Sequence, residues 1–433
     1  MLFENLINNE MACKCGVNHS ISIKEIIIGK GAINKLEMVI SKLGFTDNFH
    51  IVADANTYKV AANQVERKFL ERSYNFTSTV FEKKDLIADE SALTRLLNEI
   101  DDETSCIIAV GSGTINDLSR YAAFKLNKPY LIIATAPSMD GYASSVSPLI
   151  INGFKRTYSA IAPIAIIGDT DILKNAPYEM ITAGFGDMLG KYISLSDWKL
   201  GYYICNEYYC EAIVSIVEKA LKLCIDQIEG LKRREDDAIE NLMNGLVLSG
   251  LAMLMAGNSR PASGSEHHLA HFWEMRFISE GKKQILHGHK VGVASVLMAK
   301  RYNFLSMLDK IDVINYLSQA TTVSEDDTKA RIKEVYGSIA NEVIQENAYM
   351  DYVKEINRKI VEEWASIKEI ADKAPLSNVL KSILEAVEAP SSPEDINISG
   401  LLVDEGSKNC MYARNRYTVL RLFDQLGLID FEC

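Results

Sequence analysis

Short β-branched runs alternate with amphipathic stretches from residue 24 to residue 170, and this order constrains the chain more than any other feature. A strand–helix–strand alternation of this kind folds into a parallel sheet with helices laid on its faces. The strand-like runs are Glu25–Ile28, His50–Ala53, Ile107–Val110, Tyr130–Ile133 and Ile164–Ile167, with helical segments such as 56–72 and 91–101 between them. Beyond Pro177 the period changes to that of long helices, over 211–228, 236–256, 290–305 and 343–371. The pattern predicts an α/β domain over residues 1–176 followed by an all-α domain over 177–433, with the boundary near Lys174–Pro177. A chain of 433 residues exceeds one typical core, which agrees with two domains. Residues 323–400 are charge-rich and helical, with a Pro/Ser linker at 389–393, and carry no readable chemistry.

The net charge of −12 argues against a general nucleic-acid or anionic-membrane binder while leaving room for a local basic pocket. The longest apolar run, around Leu246–Met255, is interrupted by glycine and serine and is too short to span a bilayer. The opening MLFENLINNEMACKCG has no basic region ahead of an apolar stretch, so no secretory signal is expected. Eight scattered cysteines do not make a disulfide scaffold, and the default compartment is a reducing cytoplasm. Cys13, Cys15 and His19 form a C-x-C-G-x-x-H group. Its spacing misses the usual C-x-x-C knuckle and no second pair follows, so a plain thiol-bearing segment is expected there.

The run Cys106–Asp117 reads as a buried strand, a glycine turn and a helix start. Gly111 and Gly113 allow close approach of a phosphate to free amides at the helix N-terminus, but many glycine turns hold no ligand. The full G-x-G-x-x-G fingerprint is absent, since position 116 is Asn116. The next strand ends in Ala134–Ser145, a second polar loop at the same sheet edge, where ligands of such sheets bind. Thr135 and Ser138 read equally as turn caps. Asp54, closing the strand His50–Ala53, has two readings: a partner for ribose hydroxyls or the N-cap of the next helix.

Five of the seven histidines fall between positions 267 and 289. His267 and His271 stand at i and i+4, on one helical face, and His287 opens a second run. Neutral imidazoles so grouped suit a transition metal with an open coordination position. Asp187, flanked by glycines in Gly184–Lys191, is either a helix cap or the carboxylate that balances a divalent ion.

The ordered set GSGTINDLSRYAA, TAPSMDGYASS, GFKRTY, GFGDMLGKY, SGSEHHLAHFWE, LHGHKVGV and ARNRYTVL resembles the glycerol-1-phosphate dehydrogenases, and the TAPSMDGYASS–SGSEHHLAHFWE combination is closest to their bacterial branch. These belong to the superfamily of iron-dependent alcohol dehydrogenases, glycerol dehydrogenases and dehydroquinate synthases. The resemblance implies an N-terminal Rossmann-like domain and a C-terminal helical domain with the site in the cleft. It implies NAD(P) held by Gly113, Thr114, Ile115, Asn116 and Asp117 and by Thr135, Ala136, Pro137 and Ser138, with Asp54 and Ser144 as further contacts. It implies one divalent ion (zinc, nickel or iron) on Asp187, His267 and His287, with Asp140 and His271 facing the substrate. His268 competes with His267, and the S-E-H-x-x-x-H spacing favours His267.

The implied reaction is reversible hydride transfer between NADH and dihydroxyacetone phosphate, with the ion polarising the ketone and His271 relaying a proton. Lys155, Arg156, Lys191 and Arg260 are candidate partners for the substrate phosphate. A metal-dependent polyol dehydrogenase and a dehydroquinate-synthase-like lyase would use the same motifs. A metal-dependent hydrolase or a silent metal protein would need no dinucleotide. The expected partners are a phosphorylated triose or glycerol and a second copy of the chain, in a cytoplasmic homodimer.

Overall fold

A computed structural model describes residues 2–7, 11–83, 85–151, 154–321, 324–347 and 353–431. It forms two compact units: residues 1–188 with 215–258, and residues 189–214 with 259–433. Among the described residues the first holds ten strands: β1 Met11–Ala12, β2 Asn18–His19, β3 Glu25–Gly29, β4 Phe49–Asp54, β5 Phe76–Phe81, β6 Cys106–Gly111, β7 Tyr130–Ala134, β8 Val146–Ile151, β9 Phe154–Ser159 and β10 Ala165–Asp169.

Six strands form the expected parallel sheet in the order β3-β10-β7-β6-β4-β5. All five strand runs read from the sequence lie in it. The central strands are apolar on both faces because helices cover both, which is why they read as unbroken runs. β5 was not legible: Phe-Thr-Ser-Thr-Val-Phe is a half-exposed edge strand without such a run. The hairpins β1–β2 and β8–β9 were also missed, being too short or too polar to stand out. From β4 the chain moves outward to β5, then crosses back to β6 and on to β7. The sheet therefore has its switch point between β4 and β6, where such sheets bind ligands. Beneath one face, Leu36, Val39, Phe49, Ile51, Val65, Phe69, Ile108 and Ile133 form the core.

Helix Asp236–Ala256 is long and apolar enough to cross a bilayer, contrary to the shorter run expected from sequence. Yet 78% of its apolar window is buried within the protein, where it serves as a core helix. In the second unit, the helical stretch predicted over 343–371 is divided. Helices Val353–Glu362 and Trp364–Lys373 are separated at Glu363, whose φ of −92° and ψ of 11° leave helical geometry. Residues 348–352 lie outside the described residues.

His50 links β4 to β5 and gives the first unit a pH dependence. Its Nδ1 lies 2.7 Å from Thr77 Oγ1 and its Nε2 2.9 Å from Thr79 Oγ1. The Thr79 hydroxyl donates to Glu99 (2.6 Å), so the Nε2–H donates to Thr79 and Thr77 donates to Nδ1. Burial lowers the His50 pKa from 6.5 to about 4. A base depressed in the folded state binds its proton better when unfolded. The His50 contribution is therefore complete above pH 6.5 and is lost as pH falls toward 4. The loss amounts to roughly 3 kcal/mol. Urea titrations at pH 7 and pH 4.5 should give a shallower pH slope for His50→Gln than for the parent; equal slopes would show that His50 contributes nothing.

Candidate active site

In the first unit, Gly111 ends β6 and helix Gly113–Leu126 starts two residues later. The two glycines serve different ends. A Cβ on Gly111 would lie 2.6 Å from the Ile115 Cβ, so glycine there lets the helix pack on its own strand. A Cβ on Gly113 would meet nothing closer than Met139 at 3.8 Å, so the fold itself tolerates a methyl group. No side chain among the described residues caps this helix, and the first amides of a helix suit an anion. Gly113→Ala is therefore expected to leave the melting temperature nearly unchanged while weakening dinucleotide binding roughly tenfold, whereas Gly111→Ala destabilises the fold. Thermal melts beside NADH fluorescence titrations separate the two; a Gly113→Ala protein with parental affinity would exclude a phosphate there.

The loop after β7 is tied to this turn. Thr135 N donates to Gly111 O (3.1 Å), and Asn116 Nδ2 donates to Gly141 O (3.3 Å). The Tyr142 hydroxyl donates to Ala136 O (2.5 Å), and Ser144 Oγ accepts from Val146 N (3.1 Å). Asp117 is paired with Arg120 (3.0 Å). Gly113–Asp117 and Thr135–Ser144 thus meet at the carboxyl edge of β6 and β7. Asp54, at the same edge of β4, caps the next helix through Oδ1, which accepts from Asn56 N (2.8 Å) and Thr57 N (2.9 Å). The cap reading of Asp54 is realised through that oxygen.

Asp187 is placed by a backbone contact. A Cβ on Gly184 would lie 1.9 Å from Pro137 O, so only glycine lets helix Tyr178–Leu189 press on the Pro137 loop. One turn further on, the fully buried Asp187 accepts from Asp140 N (3.0 Å). Asp140 in turn accepts from Ser249 Oγ (2.8 Å). A fully buried carboxylate at this edge suits a cation.

The second unit gathers the histidines. Helix Ser265–Ser279 carries His267, His268 and His271, and helix His287–Met307 starts at His287. The His267–His287, His271–His287 and His267–His271 ring centroids lie 5.2, 5.4 and 6.0 Å apart. His267 Nδ1 lies 2.6 Å from Glu266 Oε1, so an Nδ1–H donated there leaves Nε2 unprotonated, the form that ligates a metal. Burial and the nearby Asp197 carboxylate push Glu266 up to about 8. Burial and then the Lys191 charge hold His267 well below its ordinary value, and burial takes His271 to about 3. All three rings therefore stand near one another, two of them held neutral as metal ligands require.

Asp197 fixes this frame by accepting from Ser265 N (2.6 Å), the Tyr302 hydroxyl (2.6 Å) and Val419 N (2.7 Å). Neither Glu266 nor Asp197 was singled out from the sequence; the His–Glu adjacency was the available signal for the first, and the second had none. His271, Glu274 and His287 also have ligand atoms within 4.8 Å of one another. Glu274, however, is already paired with the buried Lys290 (3.1 Å).

His268 is buried in the positive field of Arg416, Arg414 and Arg260. Neither of its ring nitrogens has a hydrogen-bond partner among the described residues. Arg416 donates to Ser263 O (2.9 Å) and Ser259 Oγ (2.8 Å), and Arg414 to Ser259 Oγ (3.3 Å). Neither stands in a close ion pair among the described residues, although Glu346 acts on Arg414 and Glu207 and Glu266 on Arg416 at longer range. Burial and the adjacent Arg414 charge lower Arg416 to about 9. Of the cations considered from sequence, Arg260 is paired with Glu207, and Lys191 donates to Ala262 O (3.1 Å). Lys155 and Arg156 lie on β9, in the other unit.

Residues 27–177 match the family of iron-containing alcohol dehydrogenases, a class of metal-dependent oxidoreductases. The fold agrees: the glycerol dehydrogenase of Schizosaccharomyces pombe superposes with a TM-score of 0.62 at 17% identity, covering 94% of this chain and 89% of that one. Within the class the sequence is more specific. The glycerol-1-phosphate dehydrogenase [NAD(P)+] of Geobacillus thermodenitrificans is 33% identical over 99% of this chain and 98% of its own. That of Halalkalibacterium halodurans is 42% identical over 67% of this chain and 73% of its own. The chain belongs to the glycerol-1-phosphate dehydrogenase family.

Proposed function

We propose that this protein interconverts dihydroxyacetone phosphate and sn-glycerol 1-phosphate, with NAD(P) as the hydride carrier. The observation that carries the substrate choice is the pair Arg414 and Arg416. These are two half-buried guanidiniums outside any close ion pair among the described residues, with Glu346 acting on Arg414 and Glu207 and Glu266 on Arg416 only at longer range, and the Arg414 charge acts on both His267 and His271. Guanidiniums outside any close ion pair, beside a buried imidazole with no hydrogen-bond partner among the described residues, suit a phosphate ester better than an uncharged polyol.

In this reading residues 1–176 carry the dinucleotide site and 177–433 the ion and substrate. The Gly113–Asp117 amides receive the pyrophosphate, Thr135–Ser138 and Ser144 flank it, and Asp54 keeps one carboxylate oxygen for the ribose. Asp187, His267 and His287 are the proposed ligands, a donor set of two neutral imidazoles and one carboxylate that suits zinc, nickel or ferrous iron. The bound ion would act as a Lewis acid toward the ketone, and the nicotinamide would supply the hydride. Glu266 holds the His267 ring in its ligating tautomer. His271, turned to Glu274 through Nδ1, presents Nε2 to a substrate hydroxyl or water and passes the proton. Asp140 binds a substrate hydroxyl. The proposed working form is a cytoplasmic dimer.

The handedness of the product tests this reading. Reduction of dihydroxyacetone phosphate should yield a glycerol phosphate that a stereospecific sn-glycerol-3-phosphate dehydrogenase does not oxidise; a product that it oxidises fully would refute the assignment.

A further inference from the structure

Outside the dehydrogenase machinery, the N-terminal hairpin brings together three metal-ligating side chains. β1 and β2 pair antiparallel, with Met11 opposite His19 and Ala12 opposite Asn18, so the five residues between them close a tight turn. Gly16 makes the turn possible with a φ of 85°, and its amide donates to Cys13 O (3.0 Å). Pairing folds His19 back over the turn, and the Cys13, Cys15 and His19 ligand atoms lie within 4.8 Å of one another. Cys15 Sγ is 3.3 Å from His19 Nε2. Around a tetrahedral zinc ion, bond lengths of about 2.3 Å to sulfur and 2.0–2.1 Å to nitrogen put ligand atoms roughly 3.5–3.8 Å apart.

We propose that Cys13, Cys15 and His19 hold a structural zinc ion separate from the active-site metal.

A second observation supports the ligand role of the imidazole. His19 is 2% exposed, and its Nδ1 lies 2.8 Å from Met255 O, a carbonyl in the last turn of helix Asp236–Ala256. A carbonyl only accepts, so Nδ1 carries the proton and Nε2 presents its lone pair toward the sulfurs. This is the arrangement that fixes tautomer and ring plane in metal-ligating histidines. Two thiolates and a neutral imidazole offset a divalent charge and favour zinc over harder ions. They fill three of its four positions. Bound there, zinc would lock the first hairpin and, through His19, fasten it to the C-terminal end of the helix. The competing explanation of the short Cys15–His19 distance is a simple S–H···N hydrogen bond, which needs no ion.

The active-site donors proposed above contain no sulfur, so thiolate signals separate the two sites whatever reaction the enzyme catalyses. Full-length protein, stripped of metal under reducing conditions, is titrated with cobalt(II) and followed by thiolate-to-cobalt charge-transfer absorption. One equivalent should saturate the band, the Cys13→Ser/Cys15→Ser variant should lack it, and His267→Ala should retain it. Should the double variant not fold, X-ray absorption at the zinc edge of the parent protein decides, with at least two sulfur ligands expected for this ion. No thiolate band in the parent, a band that survives the double variant, or a zinc edge without sulfur would each overturn the proposal and leave the hydrogen bond as the explanation.

Discussion

His267→Ala is expected to lower bound metal by one equivalent per chain and to reduce turnover by roughly a thousandfold or more, because polarisation of the carbonyl is worth several kcal/mol. The side chain is buried and its Nδ1 is committed to Glu266, so the variant loses one of the two imidazoles in the proposed ligand set. The adjacent His268 cannot step in, since one residue along the helix turns its side chain roughly 100° away from that of His267. Glu266→Gln should give a smaller version of the same effect, about 10–100-fold in metal affinity, through loss of the orienting carboxylate. Elemental analysis with steady-state kinetics checks both. A His267→Ala protein with the parental metal content would remove this residue from the ligand set, and the alternative group His271, Glu274 and His287 would then hold the ion.

Arg414→Ala should raise the KM for dihydroxyacetone phosphate by roughly a hundredfold, since removing one partner of a desolvated charge pair costs about 2–5 kcal/mol. Weak activity with unphosphorylated dihydroxyacetone should barely change, because that substrate has no phosphate to lose. Arg416→Ala should act in the same direction. Arg416 also ties Ser259 and Ser263 in place, so its loss should carry a stability cost as well. Lys191→Met should instead lower stability without a selective loss for the phosphorylated substrate, since that ammonium is buried and donates to Ala262 O. Equal losses with both substrates for Arg414→Ala would mean that the arginine supports the fold of the site and does not read the phosphate.

The parts of the molecule legible in its sequence are those whose signal is local. Central strands such as Ile107–Val110 are apolar on both faces, and the His267–His271 spacing shows one helical face without any tertiary knowledge. The edge strand β5 and the hairpin β8–β9 carry no such run and emerge only through their pairing partners. In the site, the distinction between Gly111 and Gly113 depends on what surrounds each Cα, and spacing treats the two alike. Asp197 gathers segments 68 and 222 residues away, a role that no window along the chain can show. Arg414 and Arg416 were visible in a matching motif, but that neither stands in a close ion pair among the described residues belongs to the folded chain. The Cys13–Cys15–His19 group was discounted on spacing because the hairpin that closes it is only two residues long on each side.

The central claim is a metal-dependent reduction of a phosphorylated ketone, and one assay tests it most directly. Chelator-stripped enzyme is mixed with NADH and dihydroxyacetone phosphate, and absorbance is followed with and without added zinc, nickel or ferrous ion. NADH loss restored by metal, and absent with unphosphorylated dihydroxyacetone at equal concentration, is the predicted result. No NADH loss with any ion, in protein shown to bind both metal and dinucleotide, would contradict the account.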